Sequence, residues 1–170
     1  FPNVKLNFAE NLLKKGKDKK VALHFFHESG ADIKITYERL RQSVSAFQGE
    51  LKKYFNEGDV LAAYMPNIPE TVIAMLGATS LGGVFTSTSC DFGVDGVVER
   101  FGQSKPKVLV AASGYEYGGK YIDLTERIQQ IKERVPSIDK VIVVDFLRKK
   151  QDHPYVRWEE LKAASSEMTF

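Results

Sequence analysis

Cysteine is almost absent from the 170 residues: Cys90 stands alone, so no internal disulfide can form and a reducing compartment suits the chain. Histidine is scarce as well, limited to His24, His27 and His153. The first two lie an odd number of residues apart on one predicted strand, so they face opposite sides and cannot share a metal. Cys-x-x-Cys, His-Glu-x-x-His and Gly-x-Ser-x-Gly are all missing, which removes the familiar zinc sites and the hydrolase nucleophile elbow. Cys90 has no local histidine to activate its thiol. Charge of one sign is also lacking: 24 Lys plus Arg face 22 Asp plus Glu, and a net +2 is too little for a dedicated nucleic-acid binder. No apolar run approaches the roughly 18 residues of a membrane helix, and no signal peptide is visible. A cytoplasmic protein without a nucleic-acid or membrane partner is the expectation. Hydrophobic residues make up 43% and aromatics 11%, enough to exclude a disordered chain and to build one core. The chain opens on Phe1 rather than Met, the mark expected of a piece of something longer.

Hydrophobic periodicity alternates between strand and helix. Asn7 and Glu10 have the spacing of a cap and its third-position partner, ahead of a short helix over 8–13. The lysine run 14–20 breaks it and reads as a solvated loop. Alternation over 21–27 and 33–36, around Glu28-Ser29-Gly30, predicts a hairpin. Thr36 can cap a long helix over 37–55 with Leu40, Val44, Phe47 and Leu51 on one stripe. Strands follow at 60–64, 84–88, 108–112 and 141–146. Helices are predicted over 70–81, opened by Pro69, over 93–104, and over 123–135, where Asp123 and Glu126 form a cap pair. A last short helix is expected over 158–164. Four apolar strands joined by three helices predict parallel pairing with right-handed crossovers. The fold class is therefore α/β: part of a doubly wound parallel sheet, preceded by a β-hairpin and a long helix, with no second domain. Ligands of such sheets bind beyond the carboxyl ends of the strands. The loops 65–69, 87–92, 113–123 and 147–150 should share that edge.

Two of these loops carry chemistry. Gly114-Tyr-Glu-Tyr-Gly-Gly-Lys120 satisfies the first seven positions of the phosphate-binding pattern G-x-x-x-x-G-K-[ST]. Tyr121 stands where the magnesium-binding hydroxyl belongs, and the helix signal at Asp123 starts too late to bring Lys120 onto its first turn. A small nucleotide-binding module built on this loop remains one reading. In another, its glycines admit a ligand, Lys120 meets a phosphate, and Tyr115, Tyr117 or Tyr121 stacks on a base. A plain solvated loop is the third. The run 86–91 likewise fits a set of backbone-satisfying hydroxyls with Asp91 as a helix cap, or a narrow channel wall. A non-enzymatic interaction domain with an open apolar face is a further alternative.

Taken together, several stretches look like one family. Phe1-Pro-Asn-Val-Lys-Leu-Asn-Phe-Ala-Glu-Asn-Leu-Leu13 resembles the opening of the acetoacetyl-CoA synthetases, within the adenylate-forming acyl-CoA synthetases. So do Ala63-Tyr-Met-Pro-Asn-Ile-Pro-Glu-Thr71, Asp91-Phe-Gly-Val94, Arg100-Phe-Gly-Gln103 and Gly114-Tyr-Glu-Tyr-Gly-Gly-Lys120. The resemblance implies a ligase that activates acetoacetate with MgATP to an acyl-adenylate and pyrophosphate. The thiol of CoA then displaces AMP. By the same resemblance, the basic loop after the third parallel strand holds the 3′-phosphate end of CoA, which here offers Lys120. Glu116 occupies a position where Arg is common. The segment after the preceding strand lines the CoA channel, which here means Ser89, Cys90 and Asp91; proline is usual where Cys90 stands. The family's Ser/Thr/Gly-rich phosphate loop, its Thr-Glu adenine motif, its ribose-binding Asp and its catalytic Lys do not occur in these residues. The expectation is part of the large N-terminal domain of such a ligase, inactive alone, whose partners are acetoacetate, ATP, CoA and the remainder of its own polypeptide. It holds no catalytic residue and no bound metal in this segment.

Overall fold

The computed structural model describes residues 5–146, 152–161 and 168–170. Helix α1 (Phe8–Lys14) is capped by Asn7, whose side chain accepts from the Glu10 N–H. Strands β1 (Val21–Phe26) and β2 (Asp32–Thr36) form the expected antiparallel hairpin. Thr36 then caps α2 (Tyr37–Leu51) through the Arg39 N–H. The helix ends at Leu51, short of the expected Phe55. Phe55 is buried all the same, in the turns that lead to the sheet.

Five parallel strands make the central sheet: β3 (Val60–Tyr64), β4 (Val84–Thr88), β5 (Val108–Ala112), β8 (Lys140–Val144) and the two-residue β9 (Val156–Arg157). Their order is β4-β3-β5-β8-β9. The chain runs outward from β3 to β4, then returns past β3 to build the other side. β3 and β5, between which the order reverses, are therefore the switch point of the sheet. The register brings the carboxyl ends level: Tyr64 pairs with Thr88 and Ala111, and Ala112 with Val144.

Alternate residues of the buried strands feed two cores. Leu61, Ala63, Val108, Val110, Ile142 and Val144 face α1, α2 and α3 (Pro69–Ser80). Ala62, Tyr64, Leu109, Ala111, Val141 and Val143 face α4 (Val94–Ser104) and α5 (Thr125–Arg134). Right-handed crossovers on opposite sides of the switch point require this split. α2 and α3 approach closely because position 77 is glycine: a Cβ there would lie 2.5 Å from Phe47 Cδ1. The Gln48 amide, also buried, donates to Ser80 Oγ at 2.8 Å and so locks the same pair of helices.

Three expectations change. The segment 113–123 is an antiparallel hairpin, β6 (Gly114–Tyr117) and β7 (Lys120–Asp123), rather than an irregular loop. Asp123 does not cap α5: Leu124 holds that position, while Asp123 Oδ1 accepts from the Thr125 N–H at 2.7 Å. The helix therefore begins one residue later than the pattern implied. The final helix is a single 3₁₀ turn, Trp158–Glu160, with its expected continuation over 162–164 outside the described residues. The loop expected over 147–150 also lies outside them. No described helix is long and apolar enough to cross a membrane.

Candidate functional site

The β6–β7 hairpin stands at the carboxyl edge, next to the switch point. Its two central residues, Gly118 and Gly119, have φ of 58° and 73°. Positive φ at both positions is what a two-residue hairpin turn with the right twist demands, and glycine meets it without strain. Of the two glycines that matched a phosphate-binding pattern, Gly119 serves the turn and Gly114 opens β6. Lys120 opens strand β7 and α5 begins only at Thr125, so the P-loop geometry is not present.

Pairing across the hairpin sorts its side chains. Tyr117 sits opposite Lys120 and Tyr115 opposite Ile122, while Glu116 sits opposite Tyr121. With a period of two, Tyr115, Tyr117, Lys120 and Ile122 share one face, and Glu116 and Tyr121 the other. The packing agrees: Tyr115 and Ile122 rest on the α4–α5 core, and Tyr121 on the α1–α3 core. Glu116 therefore does not share a face with Lys120. Tyr117 is 74% exposed beside it. The turn is tied to the first hairpin by Glu28, whose carboxylate accepts from the Gly119 N–H at 3.1 Å.

The turn after β4 lies against the base of the same face. Ser89 and Asp91 are exposed and bonded to each other, Ser89 Oγ to Asp91 Oδ2 at 3.1 Å. Cys90 points inward and is 1% exposed. Burial, with Asp91 adding to it, pushes the Cys90 thiol up to about 12, so it stays protonated at neutral pH. The Cys90 side chain is part of the core; only its backbone is available to border a channel. Tyr64, the last residue of β3 and fully buried, places its hydroxyl 3.0 Å from the Cys90 carbonyl and 2.8 Å from that of Phe92. Arg127, on the first turn of α5, reaches the same Cys90 carbonyl with Nη1 at 3.4 Å. Burial raises the Tyr64 phenol while the Arg127 charge opposes the rise. Tyr115 completes the group, facing Asp91 and Arg127. Next along the chain, Arg100 lies over the Phe92 ring at 4.6 Å, linking the Asp91-Phe-Gly and Arg100-Phe-Gly-Gln stretches.

Sequence reading singled out Lys120, on the hairpin after β5, and Ser89, Cys90 and Asp91, in the turn after β4. It missed Tyr64 and Arg127. A tyrosine ending an otherwise apolar strand was the signal for the first. The second sat among ordinary exposed charges of α5 and gave none. Among the described residues, no group of three or more His, Cys, Asp or Glu is placed to hold a metal.

Residues 9–168 match the family described as AMP-binding enzyme. The acetoacetyl-CoA synthetase of Macaca fascicularis is 38% identical over 153 residues, 89% of this chain and 23% of its own length. The acetoacetyl-coenzyme A synthetase of Rhizobium meliloti (strain 1021) is 42% identical over 132 residues, 77% of this chain and 20% of its own. Among solved structures, acetoacetyl-CoA synthetase from Streptomyces lividans superimposes with a TM-score of 0.92 at 33% identity, covering 97% of this chain and 26% of that one. The chain spans about a quarter of the length of such relatives.

Proposed function

This chain belongs to the AMP-binding enzyme family, and we propose that it supplies the CoA side of an ATP-dependent ligase that joins acetoacetate to CoA. In that reaction the acid's carboxylate attacks the α-phosphorus of MgATP, giving an acyl-adenylate and pyrophosphate. The CoA sulfur then attacks the acyl carbon, AMP leaves, and acetoacetyl-CoA forms. The part taken by these residues is binding and orientation. The arrangement that supports the reading is the single hairpin face carrying Lys120, Tyr117 and Tyr115, with Asp91 against Tyr115 at its base. Lys120 supplies a point charge for the 3′-phosphate, the exposed Tyr117 ring a surface for adenine, and the Ser89–Asp91 turn a wall for the pantetheine arm. Holding the thiol on one line of approach lowers the barrier by fixing orientation.

Titration of the chain with CoA and with dephospho-CoA tests this. CoA is expected to bind about tenfold more tightly, the size of one charge-assisted contact, with the advantage shrinking as salt rises. Lys120→Ala should erase the difference. Equal affinity of the unaltered chain for the two forms would remove Lys120 from the 3′-phosphate. Supplied with MgATP, acetoacetate and CoA, the chain alone is expected to release no pyrophosphate, since its sequence holds no Ser/Thr/Gly-rich triphosphate loop; release above the rate without enzyme would overturn that.

A further inference from the structure

We propose that Arg127 is a positioning residue that clamps the 89–92 turn through the Cys90 carbonyl, with Tyr64 as its partner, and thereby sets the wall of the thiol channel. The channel part rests on the reading above. Three elements distant in sequence converge on this carbonyl: the end of β3, the turn after β4 and the first turn of α5. The chemistry closes without an orphan. Arg127 donates to the Cys90 carbonyl at 3.4 Å, and the single Tyr64 hydroxyl proton is shared between that carbonyl at 3.0 Å and the Phe92 carbonyl at 2.8 Å. A guanidinium suits the task because its donors are held in a rigid planar fork, where an ammonium offers a single point. The clamp also explains how a turn with exposed Ser89 and Asp91 keeps the residue between them sealed at 1% exposure. Asp91 adds to the rise that burial imposes on the Tyr115 phenol and Arg127 opposes it, and Tyr115 stands on the hairpin face that carries Lys120.

The Cys90 thiol reports on the clamp. It is the chain's only cysteine, so its alkylation by iodoacetamide in the native state counts openings of this turn. Arg127→Ala is expected to speed alkylation about tenfold beyond the factor that its change in global stability, measured by urea unfolding, accounts for. Arg127→Lys should recover part of the slow rate, and Lys120→Ala should leave it unchanged. An Arg127→Ala rate no faster than global unfolding predicts would overturn the clamp. In the titrations, Arg127→Ala should weaken CoA and dephospho-CoA by the same factor, because a moved wall affects the shared pantetheine arm. Loss confined to CoA would make Arg127 a phosphate ligand instead and overturn its positioning role. If the unaltered chain binds neither form, the channel part falls with the reading it rests on, and alkylation still decides the clamp.

Discussion

The carboxyl edge of the sheet has two halves that solve burial differently. Beyond β3 and β4, the polar groups are neutral or half-exposed: Tyr64 and Arg127 both end on backbone carbonyls, while the neutral Thr88 hydroxyl is buried without a partner among the described residues. Beyond β8, charges are driven inward. Asp145 is 5% exposed, accepts from Arg157 Nη1 at 2.6 Å, and faces His153 Nε2 at 4.0 Å. The Tyr155 N–H points at His153 Nδ1, so in the neutral ring the proton sits on Nε2. That nitrogen and Asp145 Oδ1 both lack a hydrogen-bond partner among the described residues. Glu159 accepts from the Asp145 N–H, and burial raises its carboxyl. One half holds a turn at a solvent-facing surface. The other is a knot of charge that fastens residues 152–161 to the sheet. Stability should therefore be concentrated in the β8 half, and ligand response in the β3–β4 half.

Removing the centre of the knot breaks that contrast most severely. Asp145→Ala removes the buried carboxylate that Arg157 and His153 face, and is expected to cost about 3 kcal/mol in urea unfolding, the scale for breaking a buried ion pair. In the other half, Tyr64→Phe keeps the packed ring and deletes only the hydroxyl, so about 1 kcal/mol is expected. Should Tyr64→Phe prove as costly as Asp145→Ala, the two halves would not differ as described.

A smaller effect belongs to pH. Burial lowers the His153 pKa, and the nearby Arg157 lowers it further, while Asp145 and Asp152 pull the other way; Tyr155 stacks on the ring at 5.9 Å. The folded state thus holds the proton less readily than the unfolded chain. The His153 contribution is complete above the unfolded value near 6.5 and is lost as pH falls through the lower folded value. Unfolding curves should show stability declining on acidification in that window, and His153→Gln should flatten the decline. An unchanged slope would take His153 out of it.

Most of the scaffold was legible because its signals are local. Short runs set off by Gly and Pro mark the strands at 60–64, 84–88 and 108–112, and Thr36 caps its helix as its position suggests. The hairpin at 114–123 was harder. Gly119 fits a phosphate-binding pattern, with Gly114 and Lys120, as well as a tight turn with Gly118, and no local rule separates the two until the following strand pairs back. Which face Glu116 takes depends on that pairing, since a slip of one residue would reverse it. Residues 156–157 were hidden because a two-residue strand has no periodicity, and only its pairing with Ile142 and Val143 defines it. Arg127 was hidden for a different reason: its partner, the Cys90 carbonyl, lies 37 residues away in the chain, and an exposed-looking arginine on a polar helix carries no mark of it.

The smallest expected change in stability separates the two halves best. Glu28 lies at the turn of the first hairpin and accepts from the Gly119 N–H, one residue from Lys120, placing a carboxylate beside the proposed phosphate position. Glu28→Gln keeps an oxygen acceptor for that N–H and removes the charge. Global stability should shift by no more than about 0.5 kcal/mol, as for most surface substitutions. CoA affinity should rise about threefold at low salt, since one repulsive charge near the 3′-phosphate is gone, and dephospho-CoA affinity should hold. That pairing of outcomes requires the hairpin tip to be where the phosphate sits. A gain for both forms would place the nucleotide elsewhere along the face, and a loss of stability near that of Tyr64→Phe would mean the tip is part of the scaffold.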